Sequence, residues 1–109
     1  MKMISSLVRP ARLDAVKRAL AQVDVVGLTV VEARDYAPQQ RASTVWRGYV
    51  LNADSSMKLE VQVIVHDDDV DTVVDQVLRA ARTGFDGDGY VCVLTVDHRY
   101  SISSGRREV

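Results

Sequence analysis

Apolar pairs, Met3-Ile4 and Leu7-Val8 with Ser5-Ser6 between them, open the chain, a helical rhythm follows, and a similar succession of strand and helix patterns returns in the second half. Lys2 to Val8 reads as a strand that Pro10 ends. Leu13, Val16, Leu20 and Val23 recur at three- and four-residue spacing, which predicts a helix running through Val25. Gly27 marks a turn, and Leu28 to Ala33 reads as the next strand. Later, Lys58 to Val65 predicts a strand with Leu59, Val61, Val63 and Val65 on one face. Asp67, Asp68 and Asp69 favour a helix start, because carboxylates suit the positive end of the helix dipole. Val70, Val73, Val74, Val77, Leu78 and Ala81 carry that helix, with Arg79 and Arg82 near its negative end, and Tyr90 to Val96 makes the last strand. The order βαββαβ predicts an α+β, ferredoxin-like domain spanning 1–109, with a four-stranded antiparallel sheet and two helices on one face.

Ile64, Val91, Val93 and Leu94 leave apolar side chains for both faces of that sheet, although helices cover only one. At ~25 cal/mol per Å2 an uncovered face of several hundred Å2 represents several kcal/mol, and a closed homo-oligomer is the simplest remedy. A length of 109 residues suits one small domain for which burial by association helps. The net charge of −1 argues against a general polyanion binder, so no nucleic-acid partner is expected. Cys92 is the only cysteine, which excludes an intrachain disulfide; its valine neighbours suggest a small core residue. No apolar run reaches the ~18–20 residues that cross a bilayer, and a cytoplasmic protein without membrane insertion is the expectation. His66 and His98 fall in no ligand or triad spacing and read as surface residues at strand ends; neither a metal site nor an enzyme is expected.

Two segments stand outside this framework. Thr83 to Gly89 contains three glycines in seven residues, which frees the backbone for positive φ and lets an anion approach bare N–H groups. The alternative is a tight connection with Gly84 as the helix C-cap. The connection 36–56 is long for so small a domain and combines Gln39, Trp46, Arg47, Tyr49 and Leu51. Aromatic and arginine residues there compose a docking surface, or else a plain hairpin.

These residues together resemble the PII signal-transduction proteins, with no insertion or deletion as far as Gly105. The resemblance is carried by Arg9-Pro10, Leu13-Asp14, Gly27-Leu28-Thr29-Val30, Arg47-Gly48, Asp67-Asp68, and Thr83-Gly84 with Gly87-Asp88-Gly89. It implies a homotrimer that binds effectors in clefts between subunits and docks on a transporter or metabolic enzyme through a T-loop, about 36–56. The implied effector site comprises Leu7, Thr29, Ile64, Gly87, Asp88, Gly89 and Tyr90 in this chain, with the B-loop at about 83–90. Arg106, in the C-terminal segment 98–109, joins that site if the segment folds over the cleft.

The departures narrow the expectation. Leu51 replaces the tyrosine that the family uridylylates, so that modification has no hydroxyl to use. Tyr90, Ser101 and Ser103 replace one lysine and two arginines of the family's phosphate clamp, and Asp35 interrupts a glycine segment that encloses the phosphates. A hydrogen bond to a charged group contributes ~1.5–3 kcal/mol, so the loss of three such donors disfavours ATP. ADP or AMP is the expected effector, with bicarbonate as an alternative suggested by resemblance to carboxysome-associated relatives. Lys58 and Gln39 match family positions used with 2-oxoglutarate, yet that effector is disfavoured without a firmly held triphosphate. The competing expectation is an interaction module that has lost nucleotide sensing and binds its partner constitutively.

Overall fold

The central strand of the sheet is the first one in the chain. In a computed structural model that describes residues 1–36, 44–46, 49–51 and 55–109 (side chains in 1–36 and 56–109), β1 (Lys2–Val8) pairs antiparallel with two partners. These are β5 (Ser55–Val65) on one side and β6 (Tyr90–Thr95) on the other. β2 (Val26–Tyr36) adds outside β5, giving the order β2-β5-β1-β6. Two helices, α1 (Leu13–Leu20) and α2 (Val70–Ala81), pack against one face of the sheet, each entered through a single 3-10 turn. The four-stranded antiparallel α+β arrangement is the expected one.

Alternation decides what that face buries. Ile4 and Val8 of β1 and Val61, Val63 and Val65 of β5 point at Val16 and Leu20 of α1 and at Val73 and Val77 of α2, all fully buried. Burial of each such side chain contributes about 1.5–3 kcal/mol. Arg12 fastens the layer from its edge: its Nε and Nη2 donate to the Ala80 carbonyl at 2.9 and 2.7 Å. A cation is thereby placed on the negative end of α2.

Several boundaries differ from expectation. Helix α1 stops at Leu20, where the Val23 N–H turns back to the Leu20 carbonyl at 3.1 Å; Val23 and Val25 still pack on the core, which accounts for their apolar spacing. Gly27 lies within β2 as a bulge, with φ of 69° and a register shift between Val26 and Leu28. β2 and β5 run further than expected, to a Tyr36–Ser55 pair, because the ladder continues past the apolar positions. Asp67 caps no helix N–H; it receives the N-terminal ammonium of Met1 at 2.8 Å. Within the long connection, β3 (Thr44–Trp46) and β4 (Tyr49–Leu51) form an antiparallel ribbon with Trp46 opposite Tyr49. Gln39 and Arg47, and the side chains of Trp46, Tyr49 and Leu51, lie outside the described residues.

Cys92 is exposed, contrary to its expected place in the core. Its partner across the ladder is Ser5, so it shares the helix-free face with Tyr90 and Leu94, while Val91 and Val93 point the other way. That face carries exposed Val31, Tyr90 and Leu94, but its middle is polar: the Ser5 hydroxyl donates to Glu60 Oε2 at 2.7 Å. Hydrogen bonds from Ser5 and then Gln62 hold the Glu60 carboxyl below its usual range. Among the described residues, no helix is long and apolar enough to cross a membrane.

Candidate functional site

The loop between α2 and β6 is organised by one carboxylate. Asp88 Oδ2 accepts the N–H groups of Thr83 and Gly84 at 2.9 and 3.0 Å, and Oδ1 accepts the Thr83 hydroxyl and Arg9 Nε, the latter at 3.0 Å. Arg9 Nη2 also donates to the Asp86 carbonyl at 2.8 Å, and the Phe85 N–H bonds the Thr83 hydroxyl at 3.2 Å. Gly84 therefore belongs to this ring and does not cap the helix, whose last residue is Ala81. Gly87 and Gly89 take φ of 89° and 107°. At Gly89 the backbone passes so close to β1 that an added Cβ would lie 1.8 Å from the Leu7 carbonyl oxygen. The Asp88 side chain is turned into the ring, Asp86 and Gly87 form a turn, and Gly87 and Gly89 leave the backbone bare of side chains on either side of Asp88. Backbone amides in a glycine loop of this kind suit an anion.

These bonds hold the Asp88 carboxyl well below the usual carboxylate range, the Thr83 hydroxyl first, then the Thr83 amide and Arg9. A depressed folded pKa means the brace is complete above the ordinary value of ~3.9 and fails as pH falls through the lower folded value. Asp88→Asn keeps the shape but removes the charge. We expect it to be less stable than the wild type at neutral pH, with the gap closing below about pH 4. Urea midpoints measured across that range check this; parallel acid limbs would count against the brace.

Beneath the loop lies a cleft of about 510 Å3 lined by Leu7, Val8, Leu78, Arg82, Gly89 and Tyr90 among others. Leu7, Asp88, Gly89 and Tyr90 line this one cleft, and Gly87 sits beside them against Arg9. Thr29 and Ile64 are elsewhere, in a smaller hollow of about 150 Å3 with Met3, Gly27, Gln62 and Arg99. The register explains the division. Leu7 faces Glu60 and Met3 faces Ile64, so four residues, about 13 Å, separate the two ends of β1.

The C-terminal segment belongs to the second end. Ser101 N–H bonds the Arg106 carbonyl at 2.9 Å, Gly105 N–H bonds Ser101 at 2.8 Å, and Tyr100 bridges Arg107. Arg99 joins this turn to β2 through the Val26 carbonyl at 3.5 Å and to Glu108 at 3.2 Å. Arg106 is exposed and does not line the cleft of its own chain.

Sequence reasoning missed Arg9, Arg82 and Arg99. Arg9 stood in view beside Pro10 at a strand end, but its partner lies 79 positions away. Arg82 was read only as a helix-end cation. Asp35, set against phosphates by comparison with the family, reaches Lys58 instead, at 3.5 Å. His66 and His98 are exposed, and among the described residues no three His, Cys, Asp or Glu side chains gather to hold a metal.

Known proteins are similar to this chain along nearly its whole length. The family model for the nitrogen regulatory protein P-II matches residues 1–106. The chain is 37% identical over 107 residues to the nitrogen regulatory protein P-II of Microchaete diplosiphon and to that of Nostoc punctiforme, covering 98% of this chain and 96% of each relative. It is 36% identical over 108 residues to the nitrogen regulatory protein P-II 1 of Escherichia coli, covering 99% of this chain and 96% of that protein. A central first strand, a braced glycine loop and a match along nearly the whole length place this chain in the nitrogen regulatory protein P-II family.

Proposed function

We propose that this chain is an effector-gated regulator, cytoplasmic and without catalytic activity, that takes ADP or AMP at the glycine loop. The observation that carries the proposal is the glycine loop 83–89, drawn together by Asp88 and seated against β1 at Gly89 beside the cleft. Tyr90 offers a stacking ring at the lip of the cleft, and Arg82 supplies a cation for a phosphate. The two ends of the sheet support a homotrimer. In a closed ring the glycine loop of one copy meets the Thr29, Ile64 and C-terminal end of the next, which brings Arg106 to the site. Occupancy is passed to a transporter or metabolic enzyme through the connection at 37–54, with Trp46, Arg47 and Tyr49 as anchors.

The loss of cations at Tyr90, Ser101 and Ser103 sets the preference. Ser101 and Ser103 bond one another at 3.1 Å and hold no phosphate-binding charge. ADP and AMP should therefore raise the melting temperature more than ATP with Mg2+ at equal concentration. A ligand at a hundred times its dissociation constant adds ~2.7 kcal/mol of stability. ATP binding as tight as ADP would overturn the preference. Bicarbonate is the alternative small anion, and it belongs in the same titration. A flat response to all of them would favour the constitutive interaction module, the reading that the same three missing cations support.

A further inference from the structure

Lys58 is a lysine on the helix-free face of β5, and it is only 2% exposed. An ammonium in that position is costly unless an anion answers it. Its Nζ lies 2.6 Å from the Ser56 hydroxyl and 3.5 Å from Asp35 Oδ2. The ladder arranges this meeting: Lys58 faces Ala33 and Ser56 faces Asp35, so cation and carboxylate are diagonal neighbours on one face. The Asp35 side chain is 36% exposed and bridges the buried ammonium and solvent. At 3.5 Å the contact is longer than the about 2.7–2.9 Å of a close charge-assisted hydrogen bond, so the carboxylate answers the charge without a tight fit.

We propose that Lys58, Ser56 and Asp35 form an anion site that the chain fills with its own carboxylate. Asp35 is then a specificity-determining residue that shuts Lys58 to small carboxylate ligands. The pair sits where β2 and β5 give rise to the connection at 37–54, and the inference does not rest on the nucleotide reading of the glycine loop. Removing Asp35 leaves a buried cation beside a space of carboxylate size that opens to solvent. A formate, acetate or bicarbonate ion fits that space and charge.

The test is rescue of Asp35→Ala by those ions, read as melting temperature at fixed protein concentration and ionic strength against chloride. Formate or acetate should raise the melting temperature of Asp35→Ala saturably, by about 5 °C, and leave the wild type unmoved. Asp35→Asn, whose amide occupies the space, should respond little. The double variant Asp35→Ala with Lys58→Met should not respond. A flat response of Asp35→Ala overturns the proposal, and so does an equal rise in the double variant, which would put the ion elsewhere. If Asp35→Ala is unfolded in chloride, it is refolded in formate: recovery supports the site, and failure in both overturns it.

Discussion

Gly89→Ala is expected to destabilise the fold by about 3 kcal/mol or more and to abolish the melting-temperature rise produced by ADP. The new Cβ would lie 1.8 Å from the Leu7 carbonyl oxygen and 2.8 Å from its carbon. Leu7 belongs to the central strand and is paired on both sides, to Glu60 and to Tyr90, so the backbone it presents cannot retreat without breaking the sheet. A φ of 107° adds strain for any side chain, on the order of 1–3 kcal/mol. Gly84→Ala is the control. Its φ is 94° and nothing stands within 4 Å of the added atom, so conformational strain on the order of 1–3 kcal/mol, without the clash, is all it should cost. Urea denaturation separates the two variants, and a Gly89→Ala protein as stable as Gly84→Ala would refute the close approach.

The second large effect runs in the gaining direction. Tyr90→Lys combined with Ser101→Arg and Ser103→Arg should strengthen ATP binding by roughly a thousandfold. Each restored donor to a charged oxygen contributes ~1.5–3 kcal/mol, and each 1.4 kcal/mol is about tenfold in affinity. Tyr90 already lines the cleft, whereas Ser101 and Ser103 lie in the C-terminal turn at the opposite end of the sheet. The gain therefore requires a second copy. Calorimetric titration of the triple variant against Tyr90→Lys alone tests this directly. If the serine replacements add nothing, the C-terminal turn of one subunit does not reach the loop of the next.

What was legible in the sequence follows from how local each signal is. Strand β5 and helix α2 were readable because alternation and helical spacing are carried by neighbours: Val61, Val63 and Val65 in the one, Val73 and Val77 in the other. Cys92 was misread because a valine on each side of it in sequence says nothing about its own face. Its parity with Tyr90 and Leu94 was the better guide. Gly27 was taken for a turn because a lone glycine signals a bulge and a turn alike. The glycine loop was visible as a possible anion cradle, but the part of Asp88 was not, since a carboxylate that accepts from Thr83, Gly84 and Arg9 appears only when the loop closes. Lys58 was noted at its position without its partner, because the Asp35 contact depends on strand register.

The placement of β1 at the middle of the sheet also bears on how the protein is made. Its partners are β5 and β6, so Met3 waits for Ile64 and then for Leu94 before both edges are satisfied. A ribosome that has released only the N-terminal half leaves this apolar segment without either neighbour, exposed to chaperones and to other nascent chains. Such distant pairings also slow folding. Because Arg9 reaches Asp88 across 79 positions, the glycine loop takes its braced form only after both ends of that span have been made.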